Sequence, residues 1–198
     1  QTPQKTEKQV TQWVPRRATT LPTNALPLGD DEHTQLRFHK MACGNRFLLV
    51  QDQWTNQVYG FGANEGNALG TLQPENPILS KVYYTDSETG ENRLLNFPCK
   101  KLDAGERFSV MLDHNGALYT AGNKDDVPTF TLMHELFNRD IRLVDVCCSW
   151  ANFIGLDTNG TAHLGSFYSK HQTVKQLNLF GPVLQIGAGN VNMYARTN

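Results

Sequence analysis

Leu102-Asp103-Ala104-Gly105-Glu106-Arg107-Phe108-Ser109-Val110-Met111-Leu112-Asp113-His114-Asn115-Gly116-Ala117-Leu118-Tyr119-Thr120-Ala121-Gly122 is the stretch that decides the fold. An apolar run closes on a small residue and a turn, and a second run follows. Asn115-Gly116 then separates that run from a third. Asn-Gly between two apolar runs is the strongest short-range hairpin signal, because both residues tolerate positive φ in a type I′ turn. The stretch therefore predicts a hairpin preceded by a strand.

The same phrase opens at three other places: Met41-Ala42-Cys43-Gly44, Val146-Cys147-Cys148-Ser149 and Ile186-Gly187-Ala188-Gly189. The anchors Gly44, Gly105, Ser149 and Gly189 lie 61, 44 and 40 residues apart, and periods of roughly 20–50 residues signal propeller blades or stacked arrays. After Ser149, Phe153-Ile154-Gly155-Leu156 leads through Asn159-Gly160 to Leu164-Gly165. After Gly44, Phe47-Leu48-Leu49-Val50 leads through Trp54-Thr55-Asn56-Gln57 to Val58-Tyr59-Gly60-Phe61-Gly62. Alternation within each hairpin predicts burial of Leu48, Val50, Val58, Phe61, Val110, Leu112, Leu118, Val146, Ile154 and Leu156.

These residues resemble the regulator of chromosome condensation repeat, whose motif runs Cys-Gly-x-x-His-Ser-x-x-Leu, a turn with Gly, then Val-Tyr-x-Trp-Gly-x-Asn-x-x-Gly-x-Leu-Gly. The match is carried by Ala42-Cys43-Gly44 and by Val58-Tyr59-Gly60-Phe61-Gly62-Ala63-Asn64-Glu65-Gly66-Asn67-Ala68-Leu69-Gly70. It extends from about Leu36 to Ala195. The family's His is Phe47, Phe108, Asn152 and Asn192 here, and its Trp is Phe61, Ala121 and Leu164, which marks a divergent member. The resemblance implies an all-β fold of antiparallel propeller blades. About four repeats form a partial arc of a seven-bladed propeller, or alternatively a compact four-bladed ring. An arc leaves strand edges and inter-blade faces open, so a cover is expected: a partner chain that completes or caps the propeller, a strand from 1–35 that closes the small ring, or further sequence, with a truncated or partner-completed arc favoured over the ring.

The domain reading is an extended polar arm over 1–35 followed by propeller repeats over 36–198, with an insertion over 71–97. The arm is punctuated by Pro3, Pro15, Pro22 and Pro27 and is mildly basic; it cannot bury enough apolar surface to fold alone. Trp13 and Val14, with Arg16 and Arg17, are its candidate partner contacts. In the insertion, Lys81-Val82-Tyr83-Tyr84-Thr85 and Arg93-Leu94-Leu95-Asn96-Phe97 predict a hairpin projecting from the blade. Tyr83, Tyr84, Glu88 and Arg93 are its candidate contacts, because loops not needed by a scaffold commonly carry binding. Phe130 to Ile141 has helical spacing, but the repeat register puts Pro128-Thr129-Phe130-Thr131-Leu132 on a strand.

Composition narrows the functional classes. Of 198 residues 39% are hydrophobic, which fits a globular domain; 18 Lys and Arg balance 19 Asp and Glu, so net charge supplies no attraction to nucleic acid or an anionic membrane. No run of about 18 apolar residues predicts a membrane span. Cys43, Cys99, Cys147 and Cys148 contain no C-x-x-C pair and read as small buried residues in a reducing compartment, cytoplasm or nucleus. The opening on Gln1 leads us to expect a processed or truncated chain. Asn159-Gly160-Thr161 is a formal glycosylation sequon whose Asn-Gly is already committed to a turn.

Gly60, Gly62 and Gly66 imitate a dinucleotide loop, but no βαβ pattern follows and the glycines suit turns in a blade. The histidines form no i, i+4 ligand pair, and no nucleophile constellation emerges. Asp30-Asp31-Glu32 and Asp125-Asp126 read as solvated turns. We therefore expect no catalytic residue, no metal site and no cofactor. Two classes remain: a non-catalytic interaction module, as an adaptor or assembly subunit; and, implied by the family's founding member, nucleotide exchange on a Ran-like small GTPase with chromatin association.

Overall fold

The computed structural model describes residues 36–73, 75–122, 127–167 and 173–198. The candidate contacts Trp13, Val14, Arg16 and Arg17 lie outside them. Strands β1 (Phe38–Cys43), β2 (Phe47–Asp52), β3 (Val58–Ala63) and β4 (Glu75–Lys81) form the first sheet, in that spatial order. The third sheet repeats it with β11 (Leu143–Cys148), β12 (Asn152–Asp157), β13 (Ala162–Ser166) and β14 (Thr173–Gln176). The fourth holds β15 (Val183–Ala188) and β16 (Met193–Thr197). Each anchor directly follows the inner strand of its blade, so each repeat is one blade.

The second blade corrects the reading of the insertion. Its own strands are β7 (Cys99–Ala104), β8 (Phe108–Asp113), β9 (Leu118–Gly122) and β10 (Phe130–Leu132). Outside β10 lie β5 (Tyr83–Thr85) and β6 (Asn92–Leu94), with β5 parallel to β10 through Phe130–Tyr84 and Thr131–Thr85. The insertion hairpin therefore extends the next blade's sheet instead of projecting from its own. The Phe130–Ile141 segment splits between β10 and one turn of helix, α1 (His134–Asn138).

The first strands β1, β7, β11 and β15 run side by side around a common axis, and the blades pack face to face. Pairing places Leu49, Val110, Ile154 and Tyr194 at equivalent positions on the forward faces of successive blades, opposite Ala42, Asp103, Cys147 and Gly187. Met41, Leu102, Val146 and Ile186 occupy the equivalent positions on the backward faces. Leu49 and Leu102 share one buried cluster, Val110 and Val146 a second, Ile154 and Ile186 a third. Each inter-blade core thus joins one blade's forward face to the next blade's backward face.

That rule explains two departures from the expected burial. Val50, Val58, Val110, Leu112, Leu118, Val146, Ile154 and Leu156 are buried, but Leu48 is half-buried and Phe61 is 45% exposed. Leu48 and Phe61 pair with each other and with Cys43 on the backward face of the first blade, where no described blade precedes it. Period-2 alternation correctly separated two faces. It could not tell which had a neighbour. The register also moves the third member of the Phe61, Ala121 row from Leu164 to Gly165, which pairs with Phe153 as Ala121 pairs with Ser109.

The hairpin turns are longer than the type I′ reading. Asp113 N–H donates to Ala117 O at 3.0 Å and Asp157 N–H to Thr161 O at 3.0 Å, so each loop has three residues, and only its glycine, Gly116 or Gly160, has positive φ. The device that selects this turn is the aspartate ending the second strand. Asp113 Oδ1 accepts Asn115 N–H (2.9 Å) and Ala117 N–H (2.8 Å); Asp157 Oδ1 accepts Asn159 N–H and Thr161 N–H, both at 2.8 Å. In the first blade Asp52 Oδ2 accepts Thr55 N–H (2.9 Å) and the Thr55 hydroxyl (2.7 Å) instead. The turns also stitch blades together: Leu143 N–H donates to Gly116 O (2.9 Å) and Val183 N–H to Gly160 O (2.8 Å).

Asp157 also holds buried His163, Nε2 to Oδ2 at 2.9 Å. Burial pushes the Asp157 carboxyl up, but the bonds from His163, Thr161 and Asn159 outweigh it and hold it below the ordinary carboxylate range. A carboxyl depressed in the folded state stabilises fully above its unfolded pKa, about 4, and that stabilisation is lost as pH falls through the lower folded value. Thermal unfolding midpoints of the wild-type chain should therefore fall below pH about 4, and Asp157→Asn should flatten that decline. An unchanged acid profile in Asp157→Asn would remove Asp157 from the account.

Candidate interaction surfaces

The anchors converge at one end of the blade axis. The loops after β1, β7, β11 and β15 surround a hollow of about 470 Å³, with Asn45, Glu106, Trp150 and Val191 at its rim. Successive loops are chained: Glu106 N–H donates to Trp150 O (2.8 Å), and Trp150 N–H to Asn190 O (2.7 Å). Trp150 is 44% exposed and Val191 69%, an apolar lip on otherwise polar loops. Beside it Glu65 bridges Arg46 (2.8 Å) and Arg107 (3.3 Å) on neighbouring blades. Sequence reasoning named these anchors as fold markers and missed them as a surface. Their common position at a strand end was the available signal.

Between β7 and β11, Lys101 Nζ lies 2.7 Å from Asp145 Oδ1 and 3.4 Å from Cys147 Sγ, tying the second blade to the third. Cys148 N–H donates to Asp103 Oδ2 at 2.8 Å across the same junction. Burial pushes the Cys99 thiol up to about 11 and raises Cys147 and Cys148 as well, so these thiols stay protonated near neutrality and are poor nucleophiles. Cys43 is exposed; all four cysteines are free. Among the described residues no group of three His, Cys, Asp or Glu side chains is placed to hold a metal ion.

The insertion hairpin divides into a packed base and a polar tip. Tyr84 is half-buried, edge-on to Phe97 (5.4 Å) and Tyr119 (6.1 Å), and Val82 and Leu95 are fully buried in the core between the first two blades. Tyr83 is half-buried beside them. Glu88 is exposed at the tip, and Arg93 is tied to Asp86 (2.9 Å) and Glu91 (3.7 Å). Replacing the whole hairpin would therefore strip the core. Val82→Ala and Leu95→Ala should destabilise by about 1–4 kcal/mol, whereas Glu88→Ala and Arg93→Ala should stay within about 1 kcal/mol of wild type. Denaturant unfolding measures both, and equal losses at tip and base would contradict the division.

The third surface is the pair of end faces. Met41 is 67% exposed, while its equivalents Leu102, Val146 and Ile186 are 6% exposed or less. Tyr194 is 61% exposed, while its equivalents Leu49, Val110 and Ile154 are at most 2%. Both are core positions of the repeat left without a core. With both positions exposed, the described residues do not form the compact four-bladed ring; they form an open arc.

An open arc of β-propeller blades is the class this geometry defines. No protein-family model and no curated protein sequence matches the chain. Solved structures do match its fold. Human WBSCR16 is similar over 82% of this chain and 45% of its own, with a TM-score of 0.60 and 12% identity. Prp20p from Saccharomyces cerevisiae, described with its binding to Gsp1p and histones, matches 77% of this chain and 42% of its own (TM-score 0.57, 16% identity). Yeast RCC1 (Prp20) bound to Kap60 matches 84% and 43% (TM-score 0.58, 14% identity). The chain thus spans less than half the length of each. These likenesses place it in the fold of the regulator of chromosome condensation propellers.

Proposed function

We propose that this chain is a divergent regulator-of-chromosome-condensation-type propeller segment that acts as a non-catalytic protein–protein interaction module, an adaptor or a subunit of a larger assembly. The observation that carries the reading is the exposure of Met41 and Tyr194 at positions that every interior blade junction buries. Exposed contiguous apolar surface on a folded chain marks an interaction site, which Met41 and Phe61 supply on the first blade's backward face, and open strand edges need cover. The rim of Trp150 and Val191 and the tip carrying Glu88 and Arg93 are additional contacts, and the 1–35 arm with Trp13, Val14, Arg16 and Arg17 is a further one. Free cysteines support a reducing compartment, cytoplasm or nucleus. No described helix is long and apolar enough to cross a membrane.

A second reading, exchange on a Ran-like small GTPase, is supported by the fold likeness to Prp20p, whose description names Gsp1p. Affinity capture with a tagged full chain, compared with Met41→Asp, Tyr194→Asp and Glu88→Ala variants, tests the first reading. Partners should be lost from the two end-face variants; capture indifferent to both would overturn it. Accelerated release of labelled nucleotide from a Ran-type GTPase would instead favour exchange.

A further inference from the structure

We propose that the hollow at the anchor loops is the receptor for an arginine side chain presented by a partner protein. The inference rests on the reading of the chain as an interaction module and names what one of its surfaces takes. The main chain decides the sign of the charge. Loops that cradle an anion do so with unspent amides, but the four anchors spend theirs inside their own turns. Gly44, Gly105, Ser149 and Gly189 N–H donate to the carbonyls of Phe47, Phe108, Asn152 and Asn192 at 2.8–3.0 Å. The next amide in two of these loops is spent as well, Glu106 N–H on Trp150 O and Trp150 N–H on Asn190 O. The wall therefore has few donors for an anion.

Negative charge is what the hollow keeps. Among the described residues that line it Glu106 is the charged one, half-buried at the rim. Arg46 and Arg107 are engaged beside the hollow by Glu65, and no described ion pair uses Glu106. Asp103 sets a second carboxylate against the wall: its Oδ1 accepts Ala104 N–H (2.9 Å) and its Oδ2 accepts Cys148 N–H (2.8 Å), and both donors line the hollow. Lys101, at the same junction, is paired with Asp145 at 2.7 Å, so both negative charges stand. Trp150, 44% exposed, adds an aromatic face, and such faces attract cations. A guanidinium suits this set better than an ammonium, because its plane stacks on an indole while its fork of donors meets a carboxylate. The volume of about 470 Å³ falls within the range of about 300–1,000 Å³ that ligand pockets occupy.

Titration of the isotope-labelled full chain with the blocked peptide acetyl-Gly-Arg-Gly-amide, followed by amide NMR, tests this. The Trp150 indole N–H resonance should shift and saturate. The lysine peptide should bind more weakly, and the citrulline peptide, which keeps the shape without the charge, should leave the resonance in place. Glu106→Gln keeps the main-chain bond of its loop and should weaken the arginine peptide about tenfold or more. Trp150→Leu, followed on the Asn190 side-chain amide, should weaken it about twofold to fivefold. Equal shifts from arginine and citrulline, tighter binding of acetyl-Gly-Glu-Gly-amide, or an unchanged affinity in a natively folded Glu106→Gln chain would overturn the proposal. Partner capture by the full chain and its Glu106→Gln variant separates the causes. Capture unaltered by Glu106→Gln, beside a silent peptide titration, removes the arginine receptor and leaves the module reading standing. A wild-type chain that captures no partner removes the module reading, and with it the partner as the source of the arginine.

Discussion

Phe108→Ala is expected to lower the unfolding free energy by about 3–5 kcal/mol, among the largest losses any single side chain here produces. Phe108 is 1% exposed and stacks on Phe167 at 4.0 Å between ring centroids with an interplanar angle of 15°. Phe167 in turn leans on Phe153 at 5.9 Å, so three rings fill the junction between the second and third blades. Truncation removes apolar area and leaves a cavity that strands on both sides hold open. For a domain of this size each kcal/mol shifts the melting midpoint by about 2–4 °C. A calorimetric fall of less than about 3 °C would show that these rings do not carry the junction.

Gly105→Ala should destabilise by about 3 kcal/mol, while Gly189→Ala should be neutral or slightly stabilising. A Cβ on Gly105 would lie 2.1 Å from Phe108 Cε1 and 2.6 Å from Ser149 O, one pinned by the Phe167 stack and the other part of the next blade's backbone. A Cβ on Gly189 would meet nothing closer than Asn192 O at 3.9 Å. The anchor must be glycine where phenylalanine stands three residues on, as at Gly44 with Phe47 and Gly105 with Phe108. Where asparagine stands there the demand disappears, and the third anchor is indeed Ser149, followed by Asn152. Chemical denaturation of the two variants compares them directly. Equal destabilisation would show that the anchors are constrained by something other than the ring.

The repeat was legible because its signals are local: a small residue at a strand end, Asn-Gly at the turn, and apolar runs between. What depended on contacts distant in sequence was not. The parallel pairing of Tyr84 with Phe130 joins residues far apart in the chain, and no local pattern announces it, so the insertion read as a projection. The turn type was missed because the Asp113 and Asp157 carboxylates, by accepting two amides each, select a three-residue loop over the two-residue turn that Asn-Gly alone suggests. Phe61 read as core because its position is a core position in the repeat; only the absence of a described preceding blade exposes it.

The candidate site was legible to a lesser degree. Tyr84 was named as a contact for being an aromatic residue in an insertion, yet its ring packs with Phe97 and Tyr119. Arg93 was named for its charge and is paired within its own hairpin. The end faces emerged only when equivalent positions were compared across blades, which requires the register. Exposure of an apolar residue says little by itself, since much of any protein surface is apolar. Exposure at a position buried in every other repeat says much more.

Aspartate placed in turn at Met41, Leu102 and Val146 tests this account most directly, with thermal unfolding and near-ultraviolet circular dichroism as the readout. These residues are equivalent by strand register, so a single repeating blade predicts one outcome for the interior pair and another for the end. Leu102→Asp and Val146→Asp bury an unpaired charge, which costs several kcal/mol, and should abolish the cooperative transition. Met41→Asp should keep both the transition and the native spectrum. Unfolding by Met41→Asp to the same degree as Leu102→Asp would mean that the first blade's backward face is covered within the folded chain, and the open arc would be wrong.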